Sequence, residues 1–246
     1  MSFKGVKVRV LTFTIFITSF LMCSSSFSKS LSEKLTERRN QSAKKVPAPM
    51  KAKMNAGVKG LKKTGLAKRS LGVGKKWPQM SLLNSKKKRV SLNEMMAGEI
   101  SVITFYRGGW CPYCMLELDH YETMISDFEK AGVQIIAISP DSPMEALKTK
   151  KKRNLSYAVL SDPGNLGAKK LGLVFKVDEG TLGIYKKFGI NLKKSQGNNK
   201  NELPMPGTYV VDKKGVIAFS FVDPDYTKRA EPADVLEVAL KLSRSN

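Results

Sequence analysis

The segment Phe105-Tyr106-Arg107-Gly108-Gly109-Trp110-Cys111-Pro112-Tyr113-Cys114 constrains this chain more than any other stretch. It continues Ile100–Tyr106, an uncharged run of strand-forming residues that reads as a buried β-strand. Two glycines then turn the chain, and a Cys-x-x-Cys pair opens a helix predicted from about Cys111 to Ala131. Leu118, Tyr121, Ile125 and Phe128 recur on one face of that helix, and Gly132 is a natural stop.

The same alternation continues. Val133–Ser139 reads as a second buried strand, Pro143–Arg153 as a basic helix capped by Asp141 or Ser142, and Tyr157–Leu160 as a third strand. Asn165–Leu171 and Thr181–Phe188 read as short helices, and residues 191–202 as a polar loop. Thr208–Val211 and Val216–Val222 form a hairpin, and Glu231–Leu242 closes the chain as a helix. On the N-terminal side, Met80–Leu83 and Val90 read as short strands, and Asn93–Ala97 as a short helix. This order predicts an α/β sandwich, a central mixed β-sheet flanked by helices on both faces.

Each part of the Cys-x-x-Cys segment has a chemical use. A helix N-terminus carries unpaired N–H groups and partial positive charge, which favour a thiolate over a thiol. Arg107 adds to that field. Residues three apart on one helix lie close enough for a disulfide. Pro112 wastes no donor in the first turn, and Trp110 can shield a sulfur. Three readings remain for the pair. A zinc site needs four ligands, and the chain beyond Cys23 offers two cysteines and His120, which is off the helical face of Cys114. A structural disulfide closing so short a loop stabilises little. Redox chemistry uses every feature of the segment. His120 reads as an ordinary surface or interface residue.

The chain is 246 residues long with a formal net charge of +22. Residues 1–76 hold 18 Lys and Arg against 2 acids, so most of the excess lies at the N-terminal end. Lys4, Lys7 and Arg9, the apolar run Val10–Met22 and the serines from Ser24 read as an export signal over residues 1–28. The apolar run is short of the roughly 20 residues of a membrane-spanning anchor. Export, to a periplasm or the exterior, suits a chain left with one tight cysteine pair. Residues 29–64 are polar and Lys-rich, with Pro47, Pro49, Gly57 and Gly60, and read as a flexible basic linker suited to weak adhesion on anionic surfaces. Without interleaved aromatics they give no support to nucleic-acid binding. The domain proper is expected over residues 65–246.

Residues 65–240 resemble the alkyl hydroperoxide reductase/thiol-specific antioxidant family, the peroxiredoxins, in its peroxiredoxin-like branch bearing Cys-x-x-Cys. The resemblance is carried by residues 105–114, by Ser161-Asp162-Pro163-Gly164-Asn165, by Pro206-Gly207-Thr208-Tyr209-Val210-Val211-Asp212 and by Phe221-Val222-Asp223-Pro224-Asp225-Tyr226. It implies a thioredoxin-like fold. It also implies a cis peptide at Pro206, facing the cysteines at the start of the strand that carries Thr208. Tyr106, Arg107, Trp110, Pro112, Pro206 and Thr208 become supporting site residues around Cys111 and Cys114. The departures are specific. The family's Pro-x-x-x-Thr-x-x-Cys pattern, laid over residues 107–114, keeps only Cys114. Near Pro206, where the family brings an activating Arg, this chain has Met205 and Gly207.

Two mechanisms follow from the resemblance and the motif. In a thiol-dependent peroxidase, Cys114 attacks hydrogen peroxide or an organic hydroperoxide, and Cys111 traps the sulfenic acid as a disulfide. A thioredoxin-like dithiol then reduces the pair, and the cycle needs no metal, flavin or haem. In a thiol–disulfide oxidoreductase, Cys111, as the more exposed sulfur, attacks a partner protein's disulfide and Cys114 resolves it.

Overall fold

The computed structural model describes Met1 and residues 29–244. The segment read as an export signal, with Cys23, lies outside the described residues.

The basic stretch read as a flexible linker is instead two helices. Ser30 caps α1 (Leu31–Lys45) through a reciprocal box with Glu33. Leu31 and Leu35, four apart, are buried in the main core, and each such burial stabilises by about 1.5–3 kcal/mol. The prolines start a helix rather than break one. Pro47 caps α2 (Ala48–Lys63) and Pro49 sits in its first turn, where no N–H is needed. Polar composition hid this because a docked helix needs only a narrow apolar stripe. A single turn, α3 (Leu66–Arg69), leads on to the hairpin β1 (Ser81–Leu83) and β2 (Arg89–Ser91), and then to α4 (Leu92–Met95).

The central run follows as read. It comprises β3 (Ile100–Phe105), α5 (Pro112–Thr123), α6 (Ile125–Lys130), β4 (Val133–Ser139), α7 (Pro143–Lys152) and β5 (Ala158–Ser161). The one long helix expected after Cys111 is broken at Met124, yet Leu118, Tyr121 and Phe128 are fully buried on the face expected of them. Next come α8 (Leu166–Lys170), β6 (Val174–Lys176), α9 (Glu179–Lys187), α10 (Leu192–Gln196) and β7 (Glu202–Pro204). The polar loop expected over residues 191–202 thus holds a helix turn and ends at the start of a strand. Its Asn191 side chain caps the turn, and β7 pairs with β6 as a separate two-stranded sheet. The chain closes with β8 (Gly207–Val211), β9 (Ile217–Val222) and α11 (Pro232–Arg244).

Seven strands form one mixed sheet in the order β2-β1-β5-β4-β3-β8-β9. β3, β4 and β5 are mutually parallel, while β8 runs antiparallel to β3. Both faces are covered, so β3 and β4 are uncharged and mostly apolar. Ile100 and Val102 point to the face packed by α1, α5 and α11, whereas Ile103 and Phe105 point to the face packed by Trp77, Leu82 and Tyr209. This period of two has a functional consequence. Thr104 and Thr208, opposite each other on β3 and β8, share the α5 face, where their hydroxyls meet the helix that carries the second cysteine.

Helix α1 is fastened at its N-terminus. The backbone N–H groups of Leu31 and Ser32 donate to the Glu231 carboxylate at 2.9 and 3.0 Å. Lys34 Nζ lies 3.0 Å from His120 Nδ1, and His120 Nε2 lies 3.6 Å from Glu231. His120 is therefore an interface residue, buried where α1, α5 and the start of α11 meet. Burial, then the Lys34 charge, holds its imidazole below its usual range.

Candidate active site

The turn between β3 and α5 is held in shape by its neighbours. Asp141, just after β4, accepts the Gly109 N–H at 2.8 Å. A Cβ at Gly109 would collide with the Thr149 hydroxyl of α7, so the close approach requires glycine. Burial pushes the Asp141 carboxyl up to about 7, against the Gly109 hydrogen bond, which lowers it.

Cys111 is the N-cap of α5, and its Sγ accepts the Cys114 N–H at 3.4 Å. Pro112 occupies the first turn and is exposed. Cys111 and Cys114 are joined as a disulfide, with Cα atoms 5.3 Å apart. Both are fully buried. Cys111 is thus not the exposed sulfur it was expected to be, because the rings of the surrounding loops close over it.

Arg107 is buried and places Nη1 4.0 Å from Cys111 Sγ. Its guanidinium lies against three rings, with centroids at 5.0 Å for Trp110, 5.6 Å for Tyr185 and 4.4 Å for Tyr226. Its Nη2 also donates to the Tyr185 hydroxyl. Burial pushes the Tyr226 phenol up to about 12, with the Arg107 charge pulling the other way, so this ring stays a neutral donor at physiological pH.

Cys114 has a cation of its own that the sequence reading did not find. Arg229, in the segment between β9 and α11, donates from Nη2 to Cys114 Sγ at 3.2 Å. Its Nε pairs with Glu117, and its Nη1 donates to the carbonyls of Tyr226 and Lys228 at 2.8 and 2.6 Å. Arg229 and Glu117 are both inaccessible to solvent. Glu117 also accepts from Thr104 at 3.0 Å and from Thr208 at 3.2 Å. Its carboxylate is therefore saturated, which offsets the cost of burying the pair. In the disulfide the sulfur is a weak acceptor. In the reduced state Arg229 stands where a thiolate would form, and a charge-assisted hydrogen bond there favours ionisation.

The remaining expected residues divide. Trp110 packs on Arg107 and, at 5.4 Å between ring centroids, on Tyr185. Thr208 serves the site through Glu117. Tyr106 is a core residue whose phenol faces Ser139, Thr149 and Asp141, and burial pushes its pKa well up. Pro206 borders the site, but the expected cis peptide is not found, since no described peptide bond is cis. The connection from β7 through Met205 to β8 is made with the trans isomer, which even X–Pro bonds favour by about 0.5–1 kcal/mol. Two signals in the chain pointed towards the missed pair. Glu117 is an acid on the buried face of α5, three residues after Cys114. Arg229 follows the Phe221–Tyr226 motif by three.

A cavity of about 650 Å³ is bordered by Arg107, Tyr185, Pro206 and Tyr226 and, on its far side, by α2; neither cysteine lines it. Among the described residues no cluster of three or more His, Cys, Asp or Glu forms a metal site.

Comparison with known proteins bears on the family and the fold. The sequence model of the AhpC/TSA family matches residues 73–220. The chain is similar to the chloroplastic peroxiredoxin Q of Gentiana triflora, 29% identical over 168 residues, or 68% of this chain and 64% of that protein. It is similar to the putative peroxiredoxin bcp of Haemophilus influenzae, 30% identical over 103 residues, or 42% of this chain and 66% of that protein. The chain thus spans just under two thirds of the length of these relatives. The solved structure of reduced Prx3 in complex with H2O2 from Vibrio vulnificus shares the fold, with a TM-score of 0.56 at 18% identity, covering 69% of this chain and 99% of that one.

Proposed function

This chain belongs to the AhpC/TSA family, and from that membership and the surroundings of Cys114 we propose that it is a thiol-dependent peroxidase. One observation carries the assignment of the attacking sulfur, the Arg229 Nη2 donor 3.2 Å from Cys114 Sγ. The Cys114 thiolate attacks the terminal oxygen of a hydroperoxide and the O–O bond breaks. The departing alkoxide, or hydroxide from hydrogen peroxide, takes up a proton, and Cys114 is left as a sulfenic acid. The Cys111 thiol attacks that sulfur, water leaves, and the disulfide forms. An external dithiol of thioredoxin type returns both sulfurs to thiols by exchange. Arg229 lowers the cost of the thiolate, while Arg107 and the helix N-terminus supply positive potential around Cys111.

The test is peroxide consumption by the reduced protein with a dithiol donor. Cys114→Ser abolishes turnover. Cys111→Ser retains one turnover and accumulates a sulfenic acid that dimedone labels. Full turnover by Cys114→Ser would overturn the assignment of the attacking sulfur. The exchange reading, led by Cys111, requires that sulfur to reach a partner disulfide; both sulfurs are equally buried in the oxidised chain, and what ranks exchange second is the aimed Arg229 donor at Cys114. Reduction of insulin disulfides without peroxide consumption would reverse that ranking. Export is part of the same proposal and rests on the basic-then-apolar start of the chain. An N-terminus near residue 29 in the mature protein, found by mass spectrometry, is the expected result.

A further inference from the structure

Arg229 reaches Cys114 from a stretch without regular structure, between the end of β9 at Val222 and the start of α11 at Pro232. Two of its hydrogen bonds, to the carbonyls of Tyr226 and Lys228, lie within that stretch and move with it. Its aim therefore depends on how the stretch itself is held. Helix α1 holds it on both sides of Arg229. Two residues before, the Thr227 hydroxyl accepts from Arg39 Nη2 at 3.1 Å. Two residues after, the Glu231 carboxylate accepts the Leu31 and Ser32 N–H groups. Ala230, beside Arg229, is buried in the same core cluster as Leu31 and Leu35.

The contact at Glu231 completes the cap of α1. The first N–H groups of a helix have no partner within it. The Glu33 N–H goes to the Ser30 side chain, and the two before it go to Glu231. The helix dipole favours a carboxylate at that end. On its other side α1 rests on α5, the helix that carries Cys114. Lys34 meets His120, and Leu31 and Leu35 share a core cluster with Cys114 and Leu118. Helix α1 thus sets the spacing between the sulfur and its arginine. The stretch matched by the family model, residues 73–220, contains Cys114 but neither α1 nor Arg229.

We propose that Glu231 is a positioning residue for the attacking sulfur, gripping the N-terminus of α1 and so fixing the backbone from which Arg229 donates to Cys114. Its consequence for turnover rests on the peroxidase reading, while its effect on the sulfur can be read without peroxide. The sign of that effect separates positioning from simple charge. Removal of the Glu231 charge, acting through space alone, favours the thiolate and lowers the thiol pKa. Release of Arg229 withdraws a donor from the thiolate and raises it.

The experiment follows thiolate absorbance at 240 nm against pH in the reduced full chain carrying Cys23→Ser and Cys111→Ser, which leaves Cys114 as the one thiol of three. Glu231→Ala is expected to raise the midpoint by about one pH unit, a tenfold change in thiol ionisation. Glu231→Gln, which keeps an accepting oxygen, should raise it by less. Leu35→Ala loosens α1 from the core, leaves Glu231 and Arg229 in the chain, and should raise it too. Leu92→Ala, in the core cluster on the opposite face of the sheet, is the control for lost stability and should leave it unchanged. With the cysteines restored, Glu231→Ala should lower kcat/KM for hydrogen peroxide by about tenfold. The inference is overturned if the midpoint falls or stays in place in Glu231→Ala, or if Leu92→Ala raises it equally. If the midpoint rises as expected but wild type consumes no peroxide, the peroxidase reading falls and the positioning of Arg229 stands.

Discussion

Cys111 and Cys114 are three residues apart, yet each has its own arginine, and the two arginines are held by different physics. Arg107 comes from four residues before its sulfur and is caged by rings, reaching Cys111 at 4.0 Å. Arg229 comes from 115 residues beyond its sulfur and is fixed by a carboxylate and two carbonyls, reaching Cys114 at 3.2 Å. Besides the rings, Arg107 has one directional anchor, the Tyr185 hydroxyl, and it leaves the nearest N–H nitrogen 4.0 Å from Cys111 Sγ. The hydrogen bonds of the buried ion pair aim Arg229 at its sulfur from 3.2 Å. Cys111 therefore has the more distant donor, and Cys114 the closer one. The difference suits a resolving sulfur and an attacking one.

The contrast can be broken most forcefully at Glu117. Glu117→Gln leaves the Arg229 charge buried without its counter-ion, and the expected loss is about 3–5 kcal/mol in urea unfolding. Thr104 and Thr208 lose a charged acceptor in the same step. A loss below about 1 kcal/mol would mean that the pair is not coupled as described.

Next in size is the comparison of the arginines themselves. Arg229→Gln should lower peroxidase kcat/KM by about 10²–10³-fold, the usual cost of removing one aimed donor. Arg107→Gln should cost about tenfold or less, because it faces the sulfur that acts second. Equal losses would erase the distinction drawn above. The rise in thiolate absorbance at 240 nm with pH, followed in Cys111→Ser, should move to higher pH on Arg229→Gln.

The smallest effect sharpens the Arg107 side, through the turn that carries it. The Asp141 carboxyl is raised from 3.8 to about 7 in the folded chain. Over that interval the folded state binds more protons than the unfolded state, so stability falls as pH rises. The contribution is complete below about pH 4 and is lost as pH passes through 7. Asp141→Asn keeps an acceptor for the Gly109 N–H and cannot ionise. Between pH 5.5 and 8, wild type should lose about 2 kcal/mol more stability than this variant, read from urea midpoints of the oxidised protein. Parallel pH profiles would show that Asp141 does not titrate in this range.

The ring-held side of the site was the more legible in sequence. Arg107, Trp110, Cys111, Pro112 and Cys114 lie within one uninterrupted segment, and helix geometry alone brings the sulfurs within bonding reach. The central strands were legible for a related reason. Ile100–Phe105 and Val133–Ser139 are buried at all but one position, and an uncharged, mostly apolar run leaves such a strand few other places to lie. The N-terminal helices were misread because their lysines outnumber their apolar residues, while docking depends on a few positions such as Leu31 and Leu35.

Local order along the chain determined the redox pair, its seat at a helix N-terminus and the layered α/β architecture, because covalent spacing and residue periodicity act over a few residues. Only the tertiary structure decided which sulfur received Arg229, that Thr104 and Thr208 converge on Glu117, and that α2 walls the cavity. Those contacts join distant segments, with Arg229 and Cys114 lying 115 residues apart. Their partners are chosen by how the sheet and helices pack, which no short-range pattern encodes.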